Sequence, residues 1–330
     1  MTNVQKDISK YNLIEQIGKD YVTYLFKLND GRLCVCCGKE MKIFKYSNNT
    51  FFNQLSIPDL DGSITKIIQL KNDLVIFPTK DKDINLIKVF EDKYEVQHII
   101  KLDKEIIKKI QKYIEFIELK DNKIAVLVYD FGDDKILIYN NNAKNYEIIT
   151  VIKLPNIKYN LSLDIVEIPK LNQIAYYSNK GLFFYDLKNF ELKKSIDNVN
   201  GFEWTNTMIL YNEDYLLLGS EYASCNENDN SLYLVKCSTY EIVDNIFTSD
   251  LDYMFCTAMK ILSDNTILCG FHEYDSISKY VHLVVENEKI KIIGIKKLSD
   301  QQYDGEICGI EQFDNIIVAG NRNNSILIYS

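Results

Sequence analysis

The feature that most constrains this chain is a period. One short apolar strand pattern, closing on an aromatic or β-branched residue, occurs seven times: MKIF ending at Phe44, IKVF at Phe90, ILIY at Tyr139, LFFY at Tyr185, LYLV at Val235, VHLV at Val284 and ILIY at Tyr329. The end points lie 46, 49, 46, 50, 49 and 45 residues apart. A repeat of that length holds four short strands, and seven of them fill all 330 residues. This is the arithmetic of a radial all-β architecture, in which no single repeat can bury its own apolar face.

Each copy sits in the same longer unit. In the third, FIEL (Phe116 to Leu119) leads through KDNK to IAVLVY, then DFGDD, then KILIY, then YEIITVIKL ending at Leu154. Alternation and β-branched content specify strands. Turn residues mark the gaps, as at Asn29-Asp30-Gly31, Asp121-Asn122 and Ser263-Asp264-Asn265. The expectation is one all-β domain over 1–330, a seven-bladed β-propeller of four-stranded antiparallel blades at 21–57, 63–102, 113–154, 161–197, 205–248, 254–298 and 305–330. The last unit has only three strands, while YNLIEQI (Tyr11 to Ile17) is an orphan. Pairing the two completes the last blade and closes the ring, which removes exposed strand edges. One segment departs from the pattern: Ile106, Ile107, Ile110 and Ile114 recur at helical spacing, so a short helix is expected over Asp103–Ile114.

Composition then narrows the function classes. The net charge is −9, and of 38 basic residues only Arg32 and Arg322 are arginines. Nucleic-acid binding needs clustered cations, with Arg preferred for planar recognition, so no nucleic acid is expected. The start, MTNVQKDISKYN, is polar, and no run of apolar residues is long enough to span a bilayer. No membrane insertion is expected, and the eight cysteines read as reduced thiols of a cytoplasmic protein.

On these repeats the chain resembles the WD40-repeat-like β-propellers over almost its whole length. IKVFE (Ile87 to Glu91) stands where that family has a strand ending in Trp-Asp, and LFFYD (Leu182 to Asp186) comes closest to the signature. No blade has Trp there, the Asp survives only as Asp186 with Glu91 as a near match, and no Gly-His pair opens a repeat. The resemblance implies a propeller without the family's buried Asp-His-Ser-Trp network, its blades held by apolar packing.

Motifs for chemistry are sparse. Cys34 and Cys37 spell C-x-x-C, but alternation along a strand sends their side chains to opposite faces, so they share neither a metal nor a disulfide. Cys269, His272 and His282 bracket one loop without converging as a zinc site requires. DLDGS (Asp59 to Ser63) resembles the start of a calcium loop, but Leu70 stands where the bidentate Glu belongs. Nucleophile elbows, P-loops, G-x-G-x-x-G and H-E-x-x-H are absent. No metal, no cofactor and no catalytic residue is expected.

The loops carry more information. In an up-and-down blade the loop between strands two and three and the link to the next blade lie on one face. From blade 4 to blade 7 these segments are 197–204, 220–230, 248–253, 271–279 and 298–305. They hold eleven acids and one Lys, with Phe202, Trp204, Tyr222, Tyr253, Phe271, Tyr274 and Tyr303 interleaved. The corresponding link between blades 2 and 3 has four Lys to two acids, so acid is concentrated on one side. Acids and aromatics with few competing cations suit a Lys- or Arg-bearing peptide. The candidate binding residues are Phe202, Trp204, Tyr222, Asp250, Asp252, Tyr253, Glu273, Tyr274, Asp300, Tyr303 and Asp304.

The functional expectation is a protein-interaction scaffold or adaptor with a protein partner, its basic segment bound on that acidic aromatic rim. Two other classes stay open: a structural subunit of a larger assembly that docks through blade sides, and a propeller enzyme with a carboxylate-lined channel.

Overall fold

The structure, a computed structural model, describes residues 13–17, 22–47, 50–58, 60, 66–79, 83–101, 112–129, 134–141, 146–155, 164–178, 181–197, 205–220, 232–246, 254–273, 278–297, 305–321 and 325–329. Every regular element among them is a strand, beginning with β1 (Leu13–Ile17). The chain divides into two compact units, Asp20–Asn160 and Met1–Lys19 with Leu161–Ser330.

The first unit holds three four-stranded antiparallel sheets. Blade 1 is β2 (Val22–Lys27), β3 (Leu33–Cys37), β4 (Glu40–Ser47) and β5 (Thr50–Ile57). Blade 2 is β6 (Ile68–Gln69), β7 (Leu74–Pro78), β8 (Ile84–Val89) and β9 (Tyr94–Ile100). Blade 3 is β10 (Lys112–Glu118), β11 (Lys123–Tyr129), β12 (Lys135–Asn140) and β13 (Ile148–Lys153).

The second unit holds four more. Blade 4 is β14 (Asp164–Ile168), β15 (Gln173–Ser178), β16 (Gly181–Asp186) and β17 (Leu192–Asp197). Blade 5 is β18 (Thr205–Tyr211), β19 (Tyr215–Ser220), β20 (Leu232–Lys236) and β21 (Glu241–Ile246). Blade 6 is β22 (Met254–Ile261), β23 (Ile267–Glu273), β24 (Lys279–Glu286) and β25 (Lys289–Lys297). Blade 7 is β26 (Ile307–Phe313), β27 (Ile316–Asn321) and β28 (Ser325–Tyr329), and β1 pairs antiparallel with β28 as its fourth strand.

Burial explains the sequence of each strand. A second strand between two blades of one unit packs on both faces and is almost wholly apolar, as in LVIFP of β7, every residue buried, with Val75 and Phe77 toward blade 1 and Leu74 and Ile76 toward blade 3. Fourth strands sit outermost, and β9 (YEVQHII) buries only Ile100. Within each unit one apolar cluster joins each blade to the next, for example Leu217, Leu234, Phe271 and Leu283 between blades 5 and 6.

Turn chemistry agrees with expectation. The Gly31 N–H donates to the Leu28 carbonyl at 2.9 Å and the Leu28 N–H to the Arg32 carbonyl at 2.8 Å, with Gly31 at φ 85°. Asp73, Asn122 and Asn265 occupy the same left-handed place at φ 65°, 61° and 65°, a conformation open to Gly, Asn and Asp. The expected helix over Asp103–Ile114 is corrected at its end. Residues 112–114 are strand, since Lys112 and Tyr113 pair with Tyr129 and Val128. Residues 103–111 lie outside the described residues.

One irregularity recurs in every blade. The ladder between the third and fourth strands skips a single residue on the fourth: Gln54, Gln97, Ile149, Lys193, Val243, Ile293 and, in β1, Ile14. The residue of the third strand at the skip is Phe44, Ile87, Tyr139, Tyr185, Val235, Leu283 or Tyr329. Ile87 and Leu283 therefore hold the repeat position that alignment on the closing residue gives to Phe90 and Val284. Tyr139, Tyr185 and Tyr329 fill the place of the missing Trp and are 1%, 4% and 2% exposed. Burial pushes the Tyr185 phenol up to about 12, so it packs as a neutral ring.

Blade 6 carries a polar chain of its own. In blade 6 the Thr266 hydroxyl donates to Asp264 Oδ1 at 2.6 Å and lies 2.6 Å from His282 Nε2. With its proton given to Asp264, the hydroxyl oxygen accepts from Nε2–H. Asp186, the residue nearest the family signature, instead accepts the Lys188 N–H at 2.7 Å and caps its own hairpin.

Candidate functional site

The four blades of the second unit are held face to face by their first strands, β14, β18, β22 and β26, which adjoin in that order. Register places one end of every strand on a common edge. Thr205 opposes Ser220, Gly219 opposes Leu232, and Leu232 opposes Ile246. In blade 6 Met254 opposes Glu273 and Lys279 opposes Lys297. Segments 198–204, 221–231, 247–253, 274–277 and 298–304 connect strand ends of this edge.

A polar framework fixes the edge. The Asp164 carboxylate accepts its neighbour's Ile165 N–H at 2.9 Å and, across to blade 5, the Met208 N–H at 2.7 Å. Between blades 6 and 7, the fully buried Ser278 hydroxyl donates to the Gly305 carbonyl at 2.6 Å, and Asn321 Nδ2 donates to the same carbonyl at 3.2 Å. His272 Nδ1 lies 3.3 Å from the Ser278 oxygen, and its ring meets Phe255 edge-on at 5.5 Å. A Ser-His pair suggests a nucleophile and its base, but the serine proton is already committed to Gly305, so the Ser278 hydroxyl accepts from His272 and ties blade 6 to blade 7.

The first strands add a second recurring offset. Their ladders skip Asn206, Thr257 and Cys308 in blades 5, 6 and 7, one residue per blade at the loop-bearing end. The Thr257 hydroxyl bonds the Gly270 carbonyl at 3.4 Å, satisfying backbone next to the bulge. Close packing accompanies it. A Cβ on Gly219 would lie 2.5 Å from the Cys256 Cβ, and one on Gly270 would lie 2.8 Å from Ile307 Cγ2.

Of the candidate binding residues, Glu273 ends β23. Phe202, Trp204, Tyr222, Asp250, Asp252, Tyr253, Tyr274, Asp300, Tyr303 and Asp304 lie outside the described residues. Phe271 is a correction: it is fully buried in the cluster between blades 5 and 6 and belongs to the core, not to the rim. Alternation explains this, because Phe271 follows Cys269 by two residues and shares its inward face.

The residues weighed for a metal are separated. Cys269 pairs with Val281 and packs toward blade 5, whereas His282 pairs with Leu268, whose face packs toward blade 7. Among the described residues no three His, Cys, Asp or Glu side chains are grouped to hold a metal ion. Cys34 is buried and Cys37 half-buried on the same strand, and the seven described cysteines are thiols, not disulfides.

The first-strand acids are engaged too. Lys66 pairs with Glu115, which is 1% exposed, and Lys260 pairs with Glu311 at 2.7 Å. Ser278 and Asn321 were not legible as edge-fixing residues, since nothing local marks that both would bond the Gly305 carbonyl. No helix among the described residues is long and apolar enough to cross a membrane.

Comparison with known proteins defines the class. No protein-family model matches the chain, and no curated protein does. Solved structures do. A chain in the crystal structure of the mitotic checkpoint complex superposes with a TM-score of 0.72 at 8% identity, over 99% of this chain and 96% of that one. Virginiamycin B lyase from Staphylococcus aureus gives 0.69 at 11%, over 97% and 99%. The Pan2 WD40 domain of Neurospora crassa gives 0.66 at 11%, over 98% and 97%. The fold is a seven-bladed β-propeller of the WD40-like kind.

Proposed function

We propose that the chain is a protein-interaction scaffold of the cytoplasm, acting as one propeller over 1–330, and that it holds a basic peptide segment on the rim of blades 5 to 7. The observation that carries this reading is the common edge of the second unit. Five segments rich in acids and aromatics join strand ends of an edge tied by Asp164, Ser278 and Asn321. Rigid strands presenting variable loops are the usual arrangement for recognition. Trp204 and Tyr303 supply aromatic anchors, and Asp250, Asp252, Asp300 and Asp304 supply the field that draws a cation in.

A binding role also fits the engaged acids. Catalysis by a carboxylate-lined channel needs carboxylates with unspent valences, and Glu115 and Glu311 are each held by a lysine. The lyase among the similar structures shares the fold, and fold alone does not carry activity.

The test is binding of the full chain to immobilised extended peptides of matched length, one set rich in Lys and Arg and one rich in Asp and Glu. Retention of the basic set alone, weakening with salt, supports the reading. Equal retention, or none, overturns it.

A further inference from the structure

β1 differs from the other six fourth strands in one respect. β5, β9, β13, β17, β21 and β25 each follow their third strand in the chain through a short hairpin. β1 has no hairpin to β28: its partners Ile326, Leu327, Ile328 and Tyr329 lie at the opposite end of the sequence. Four paired positions hold it, Leu13 to Tyr329, Glu15 to Ile328, Gln16 to Leu327 and Ile17 to Ile326, against five in β13, β17 and β21 and eight in β25. The acceptor is unforgiving, because Ile326, Leu327, Ile328 and Tyr329 are all 3% exposed or less.

We propose that the β28 edge is a strand-acceptor site that takes residues 13–17 of a second copy of this chain in exchange for its own. A hairpin strand that opens stays beside its partner, and its return is a local closure that outcompetes other chains. β1 lacks that hairpin and is tethered only through residues 18–21 to β2, not to its partner β28. A short, bulged, edge ladder belongs to the least stable segments of a fold, and an apolar edge left open favours capture of the next matching strand. A second copy supplies the one segment matched in register by construction, including the skip at Ile14 that every blade repeats. Competition against an intramolecular strand sets the scale, so exchange emerges as concentrations approach about 1 mM.

The test uses the full chain and a dye-labelled peptide of residues 8–19, with a scrambled peptide as control. A permuted chain is its partner: it starts at Asp20 and carries residues 11–19 after Ser330 through a short turn, giving β1 the hairpin it lacks. The native chain is expected to take up the peptide at about 1 mM while the permuted chain takes up at least about tenfold less. Concentrated native chain should also form a dimer that the permuted chain does not form. Equal uptake by both chains, or uptake by neither, overturns the acceptor site. Uptake without the dimer overturns the assignment of a second copy as its occupant.

Discussion

The backbone N–H of Asn29, at the first hairpin of blade 1, donates to the side-chain oxygen of Gln69 in blade 2 at 2.7 Å. The same bond recurs from Lys71 N–H to Glu118 Oε2 at 2.7 Å and from Ser263 N–H to Gln312 Oε1 at 2.8 Å. Each acceptor stands one residue before a buried residue at the end of the first strand or just past it, Leu70, Leu119 or Phe313. These latches join one blade's turn to the next blade's first strand. Replacing Gln312 by Ala is expected to cost about 0.5 to 1.5 kcal/mol, toward the low end because water reaches Ser263. Urea melts of Gln69→Ala and Gln312→Ala check this, and no loss in either would reduce the latch to a bystander.

Removing residues 1–20 strips β1 from β28 and opens an edge whose residues are otherwise buried. The truncated chain should melt lower and aggregate, as an apolar unpaired edge does. Thermal melts and light scattering decide it; an unchanged melting temperature with a monodisperse solution contradicts the pairing.

Asp244 of blade 5 accepts Lys289 Nζ at 2.8 Å and the Ile290 N–H at 2.7 Å, both from blade 6. Burial pushes its carboxyl up, but these bonds outweigh it and leave the group below its ordinary value. A lowered native value means the stabilisation is present above the unfolded carboxylate range and is lost as pH falls through the native value. Asp244→Asn should therefore cost on the order of 1 kcal/mol at neutral pH, with the gap to the parent closing in acid. Stability measured from neutral pH to pH about 3 tests the sign, and a gap that widens in acid refutes it.

Gly270→Ala would drive a methyl into Ile307, a β-branched side chain with little room to turn. The expected loss is about 1 to 3 kcal/mol, the overpacking range, despite the better strand propensity of Ala. Gly219→Ala, against the Cys256 Cβ, should behave alike. A stabilised variant at either position would show that the inter-blade spacing yields.

On the rim, Trp204→Ala should weaken binding of a basic peptide by about 2 kcal/mol or more with little change in melting temperature, if Trp204 is an anchor. Reversing the charges of Asp250 and Asp252 should slow association and flatten its salt dependence. Should Trp204→Ala unfold the protein while the charge reversal leaves association unchanged, this rim is not the binding face.

The blades were legible because four strands in about 47 residues repeat through turn residues whose left-handed conformations are chemically specific. Register within a strand was less so. IKVF closes on Phe90, yet Ile87 holds the repeat position, because an alternating apolar run aligns equally well two or three residues along. The helix expected to Ile114 failed at its end since isoleucines at helical spacing also suit a strand once a neighbour offers a ladder. Phe271 looked like rim by its position beside a loop, and only the inward face it shares with Cys269 places it in the core. The latches at Gln69, Glu118 and Gln312 join residues forty or more apart, and aligning the buried residue that follows each would have exposed them.

The offset shared by Gln54, Gln97, Ile149, Lys193, Val243, Ile293 and Ile14 bends each fourth strand at the same point of its own ladder. Phe52, Val96, Ile99, Ile149 and Val151 stand on those strands with 37% to 54% of their surface in water. A flat row of such residues would template fibrous stacking between molecules. A kinked one cannot run a continuous ladder with a neighbour, so these strands resist sticking through the course of their backbone as well as through the exposed lysines of β17 and β25.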